Sequence, residues 1–93
     1  MEKSIETCLA ETCSKDGVVG SIMSDQQGLC LGVKGRASIE SSGVVTAIAD
    51  QAAKLEPNSQ NPIIVLENDT NQCLIQRAER ATIAIYKTSN LAN

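Results

Sequence analysis

Any covalent chemistry in this chain would fall to four cysteines, because the sequence contains no histidine. Cys8, Cys13, Cys30 and Cys73 form no CxxC pair. Without imidazole they have neither a general base nor a partner to complete a zinc site. Cys30 and Cys73 have no neighbouring sequence signal for a lowered thiol pKa. The even count would suit disulfides, but no secretory signal is visible, so the cysteines read as reduced, structural thiols. Gly32-Val33-Lys34-Gly35 sets a lysine between glycines but lacks the GxxxxGK spacing of a phosphate loop, so these glycines are expected in a strand and a turn. Glu67 and Asp69 flank a turn, where carboxylates are usually solvated. Lys34 and Arg36 make a small basic spot, either a solvated edge or a contact for an acidic partner. Asn68-Asp69-Thr70 matches a glycosylation sequon, which has no meaning in a cytosolic chain. These residues nominate no catalytic, cofactor-binding or metal site.

The elements that carry them must be modest. Ninety-three residues make one domain, read as spanning 1–93, and a chain of that size buries only about 60–65% of its unfolded surface. Tyr86 is the sole aromatic residue, so the core is built from Ile, Val, Leu and Ala. A net charge of −3 argues against nucleic acid, which calls for a basic footprint. There is no apolar run of membrane-spanning length, so the expectation is a soluble, intracellular protein.

Periodicity predicts a helix over 4–14, with Ile5, Cys8, Leu9 and Thr12 on one face. Strands follow over 18–23 and 29–34, joined by Ser24-Asp25-Gln26-Gln27-Gly28, where Asp25 can bond the following backbone and Gly28 can take positive φ. Leu29, Leu31 and Val33 alternate with Cys30, Gly32 and Lys34, as in a half-buried strand. A helix over 38–55 has Ser38 as its N-cap, Glu40 in its first turn and Pro57 beyond its end. After a polar loop over 56–61, strands are predicted over 62–67, 72–78 and 81–87.

Two features point outward. The central helix has an apolar arc about half its circumference wide, more than the roughly 100° that one core needs. Val44, Ile48 and Leu55 line one side and are expected on the chain's own sheet. Val45, Ala49 and Ala53 line the other, with Ala52 between, where small side chains let a second backbone come close. Thr46, Asp50, Gln51 and Lys54 fill the polar half. The arc fits either a single broad sheet or a sheet plus a second subunit. If the first strand pairs with the last, Ile63-Ile64-Val65-Leu66 becomes an edge strand apolar on both faces, which invites pairing with another chain. If that strand is central in the sheet, it needs no partner.

The pieces VVGSIMSDQQGLCLGVKG, GVVTAIADQAAKL, PIIVLENDTNQCLIQR and TIAIYK, in that order, cover nearly the whole chain. The set resembles the roadblock (dynein light chain) family of small dimerising domains, and within it the short subunits of the Ragulator complex. The resemblance implies an α+β fold of the profilin/longin type: a five-stranded antiparallel sheet in the order α-β-β-α-β-β-β, with no C-terminal helix. It also implies a scaffold and not a catalyst, without cofactors, that pairs through the central helix and the strand after it. Carried onto this chain, that interface comprises Val45, Ala49, Ala52, Ala53, Ile63, Ile64, Val65 and Leu66. The implied partners are a second roadblock-family subunit, a lipid-anchored Ragulator scaffold subunit, and Rag GTPases reached through the assembly. The implied setting is the cytosolic face of lysosomes, without direct membrane insertion, in amino-acid signalling to the target-of-rapamycin kinase complex. An alternative within the family is a homodimeric regulator acting directly on a single small GTPase.

Overall fold

In the computed structural model, which describes residues 4–55, 57–58 and 62–88, helix α1 (Ile5–Cys13) precedes the hairpin β1 (Val18–Asp25) and β2 (Cys30–Gly35). A 3₁₀ turn (Ile39–Ser41) leads into helix α2 (Ser42–Leu55), followed by β3 (Ile63–Glu67), β4 (Asn71–Ala78) and β5 (Ala81–Thr88). The strands form one antiparallel sheet in the order β2-β1-β5-β4-β3. β1 therefore pairs with β5, and the strands flanking the central helix become the two edges. The expected absence of a helix after the last strand falls on 89–93, outside the described residues, as does most of the loop over 56–61.

One row of side chains crosses all five strands. Val33, Ile22, Ala84, Ile75 and Ile64 stand directly opposite one another in register. Because side chains alternate across a strand, they share one face. α2 lies on that face and seats Val45 and Ala49 on Ile22, Ala84 and Ile75. α1 lies on the other face, over β1 and β2. Leu9 and Ile5 rest against Gly32, where an added Cβ would come within 2.8 Å of Leu9 Cδ1. The Cys13 thiol meets the Ser21 hydroxyl at 3.4 Å on the same side.

Local chemistry explains the ends. Ser4 caps α1 by accepting from the Thr7 amide at 3.1 Å. Asp25 Oδ1 accepts from the amides of Gln27 and Leu29, both at 2.9 Å, and Gly28 takes φ 90°, the turn chemistry expected from sequence. The helix read over 38–55 divides. Ser38 accepts from the Glu40 amide and Ser41 N–H donates to the Ser38 carbonyl, closing a 3₁₀ turn before α2 begins at Ser42. Ser42 is held by donating its hydroxyl to the Gly28 carbonyl at 2.6 Å, so the hairpin turn sets where α2 starts.

β2 departs from simple alternation. Met23 faces Gly32 but Ser24 faces Cys30, which leaves Leu31 as an extra residue in a bulge. Cys30 and Val33 then both pack towards the core, and Leu31 turns outward. Thr46, expected in the polar half of α2, is buried. It shares a 2.6 Å hydrogen bond with Ser24 and donates to the Ser42 carbonyl. Asp50 pairs with Arg77 of β4.

Two backbone positions generate predictions. Gly35 has φ 65° and an added Cβ would lie 2.3 Å from the Val19 carbonyl oxygen. Gly35→Ala is expected to lose at least about 2 kcal/mol of stability, through left-handed strain plus overlap with fixed backbone. Glu79 sits at φ 54° in the two-residue β4–β5 turn, a position that favours glycine. Glu79→Gly is expected to gain about 0.5–1 kcal/mol. Thermal unfolding checks both: Tm falls for the first and rises by about 2–8 °C for the second.

Candidate interaction surface

The candidate residues lie on two neighbouring elements, the flank of α2 and strand β3. Seen down the α2 axis, the buried positions are Ser42, Val45, Thr46 and Ala49. Val45 and Ala49 are 3% and 4% exposed, so they belong to the chain's own core and not to an open surface. Val44 and Leu55, expected on the sheet, are 60% and 81% exposed. Val45 and Ala49 thus take the inward place expected for Val44 and Leu55, while Ile48 packs against the core as expected. The hydroxyl network of Ser24, Thr46 and Ser42 is the cause: it pins the small and polar side of α2 inward and turns the bulky side out.

Ala52 and Ala53 are half-buried at the margins of the helix–sheet contact. In β3, Ile64 is half-buried against the core, while Ile63, Val65 and Leu66 are exposed. Register puts Ile64 and Leu66 on the α2 face and Ile63 and Val65 on the α1 face. Between helix and strand lies an open, almost wholly apolar groove of about 590 Å³, lined by Val44, Ile48, Gln51, Ala52, Leu55 and Ile64. Of the eight residues expected from sequence, Ala52, Ile63, Ile64, Val65 and Leu66 border this groove or belong to its edge strand, and Val45, Ala49 and Ala53 do not. Val44 and Leu55 were missed as surface residues, whereas Ile48 between them is half-buried and packs against the core as expected while also lining the groove. Their i, i+4 and i+11 spacing was the available signal, since it lines up one uninterrupted aliphatic stripe.

The two sheet edges differ. β2 carries the bulge at Leu31, a feature that twists an edge away from pairing. β3 runs five residues in unbroken register with β4 and, among the described residues, no strand lies on its other side. Its outer amides and carbonyls are a template for a further strand.

On the same face, Cys73 and Tyr86 are cross-strand neighbours. Burial pushes the Cys73 thiol above its ordinary value, with a hydrogen bond from Tyr86 pulling the other way. Burial also raises the Tyr86 phenol, reinforced by the Cys73 charge and opposed by a bond with Ser41. A thiol held protonated is a poor nucleophile. No group of His, Cys, Asp or Glu able to hold a metal ion occurs among the described residues.

Residues 1–87 match the family described as Ragulator complex protein LAMTOR5. The Ragulator complex protein LAMTOR5 homolog of Nematostella vectensis is 42% identical over 88 residues, covering 94% of this chain and 97% of the relative. The LAMTOR5 protein of Xenopus tropicalis is 33% identical over 91 residues, covering 97% and 100%. Among solved structures, a roadblock/LC7 domain from Streptomyces avermitilis superposes with a TM-score of 0.80 over 95% of this chain and 81% of that one, at 9% identity. MglB of Myxococcus xanthus gives 0.75 over 94% and 80%, at 10% identity. The structural neighbours establish the roadblock fold. The chain belongs to the LAMTOR5 family of Ragulator complex proteins, a family of non-catalytic adaptors.

The Cys73–Tyr86 pair gives a test with a defined sign. Both groups ionise at higher pH in the folded chain than in the unfolded one. Their contribution to stability is therefore complete at neutral pH and is lost as pH rises through the thiol and phenol range, above about 9. Denaturant titrations from pH 7 to 10 are expected to show falling stability on the alkaline side. The double variant Cys73→Ala, Tyr86→Phe is expected to flatten that limb.

Proposed function

We propose that this LAMTOR5-family chain is a scaffold subunit of a Ragulator-like assembly and pairs there with a second roadblock-family subunit. The observation that carries the reading is the continuity of two unsatisfied features. The unbulged edge of β3 adjoins the aliphatic flank of α2, and together they expose Val44, Leu55, Ile63, Val65 and Leu66. Val44, Leu55 and Leu66 lie on the α2 face and Ile63 and Val65 on the opposite face of the same edge strand, a density that exceeds what scattered surface hydrophobics explain. A partner strand added to β3 would extend the sheet, and a partner helix laid along Val44, Ile48 and Leu55 would close the groove above it. Each large side chain buried in this way contributes about 1.5–3 kcal/mol.

The α1 face supports a second contact within the same assembly. α1 covers β1 and β2 only, so Leu74, Ile83 and Ile85 stay half-exposed beside Ile63 and Val65. A helix from the lipid-anchored scaffold subunit would complete that layer. Through this subunit the chain would reside on the cytosolic face of lysosomes. That placement suits a chain in which no helix among the described residues is long and apolar enough to cross a membrane. In this reading the assembly, and not the isolated chain, docks Rag GTPases and supports amino-acid signalling to the target-of-rapamycin kinase complex.

Substitutions separate surface from core. Leu55→Asp and Leu66→Lys are expected to leave Tm within a few degrees of wild type yet weaken co-purification with the second roadblock subunit by at least about thirtyfold. Val45→Asp and Ala49→Asp place an unpaired charge in the core and are expected to unfold the chain. Full capture of the partner by both surface variants would overturn the interface. If the purified chain alone forms a dimer and changes nucleotide exchange on one isolated small GTPase, the homodimeric regulator replaces this reading.

A further inference from the structure

α2 leaves one row of side chains on its own face of the sheet uncovered. Val45 and Ala49 sit on the row of Ile22, Ala84 and Ile75. Thr46 bonds to Ser24 and Asp50 pairs with Arg77, two residues along the strands from that row in one direction. Two residues along in the other direction, Gly20, Tyr86, Cys73 and Leu66 stand opposite one another across β1, β5, β4 and β3. Tyr86, Cys73 and Leu66 line a separate groove of about 420 Å³ there. On the β1 side this groove is closed. The connection after β2 crosses Gly20 so tightly that an added Cβ would lie 2.7 Å from the Ala37 amide nitrogen, and Arg36 joins the groove wall. On the β3 side no further strand bounds it among the described residues, and Leu66 is exposed.

Strand direction decides what meets that open side. α2 starts beside the β1–β2 turn, where Ser42 donates to Gly28, and its far end brings Leu55 next to Ile64 of β3. It therefore covers the half of the sheet that holds Ile63 and leaves bare the half that holds Glu67. A partner of the same fold that adds its own third strand antiparallel to β3 runs the opposite way. The covered half of its sheet then stands beside the bare half of this one. Its central helix also runs towards the shared edge, so the helix arrives C-terminus first. That end presents unpaired carbonyls and a partial negative charge. Arg36, in the closed wall, supplies the opposite sign. Glu67 belongs by register to the other face, where its carboxylate accepts from Gln72 at 3.2 Å.

On the basis of the pairing through β3 proposed above, we propose that this groove receives the C-terminal end of the partner's central helix and the connection after it. Arg36 faces the carbonyls of that helix end. The interface thus extends past the edge strand to Cys73 and Tyr86, and it recruits a cation from the connection that leaves the far edge of the sheet.

The test places the photo-crosslinking residue p-benzoylphenylalanine at Asn71, which is exposed and lines the groove, in the full chain within its native assembly. Adducts are mapped to peptides by mass spectrometry, with the same probe at exposed Gln26 as a control. The expected adduct lies on the second roadblock-family subunit, in the last turn of its central helix or the connection after it. Arg36→Glu is expected to weaken co-purification of that subunit about tenfold with Tm unchanged, and Arg36→Lys to retain it. An adduct elsewhere on that subunit, on another protein, on lipid or on a second copy of this chain would overturn the inference. So would a yield no higher than at Gln26, or capture unmoved by Arg36→Glu. If Leu55→Asp still blocks capture in those cases, the pairing through β3 stands and only the groove's occupant is wrong. Capture unmoved by both Leu55→Asp and Leu66→Lys removes the pairing itself.

Discussion

The structure depends on one row of aliphatic contacts. Val33, Ile22, Ala84, Ile75 and Ile64 contribute one side chain per strand, and α2 presses Val45 and Ala49 onto the middle of that row. With no Phe or Trp, no single residue can fill much volume, and a small chain has little apolar area to spare. Stability therefore rests on register. A one-residue slip in β1, β2 or β4 can bring Ser21, Lys34 or Gln76 from the opposite face to a core position.

That constraint explains why polar groups appear inside. Ser24, Thr46 and Ser42 bond to one another and to the Gly28 carbonyl, so no buried side-chain oxygen or nitrogen is left without a partner among the described residues. The network ties the β1–β2 turn to the first turn of α2 and sets the rotation of the helix about its axis. Asp50 and Arg77 add a half-exposed ion pair along the same flank, of modest energetic weight. Once the rotation is set, the bulky flank of α2 has nowhere to face but outward, next to the edge of β3. The exposed aliphatic surface is thus a consequence of how the core was satisfied.

The edges divide the work. β2 is bulged and leaves only side chains for recognition, whereas β3 is regular and offers its backbone. An antiparallel sheet with one blunted and one open edge has a direction in which it can grow and a direction in which it can only be gripped. The half-buried Cys73 and Tyr86, both held in their neutral forms, fit a structural sheet and not a reactive site.

Much of this was legible in the sequence because it depends on local chemistry. The element order, the Asp25–Gly28 turn, the Ser4 cap and the doubly apolar Ile63–Leu66 stretch each follow from residue type and spacing. So did the pairing of the first strand with the last, which makes Ile63–Glu67 an edge. The rotation of α2 did not follow. An apolar arc covering half a helix fits a sheet at many angles, and periodicity alone cannot choose between Val44, Ile48 and Leu55 on one side and Val45 and Ala49 on the other. The choice came from a hydroxyl on β1 that lies 22 residues from its partner in α2. The bulge at Leu31 was hidden for a similar reason, since an extra residue is defined only against the strand it faces. Sequence by itself determined which elements form and that Ile63–Leu66 is apolar on both faces. Tertiary contacts, being long-range and polar, decided which side of the central helix is buried and which is left exposed.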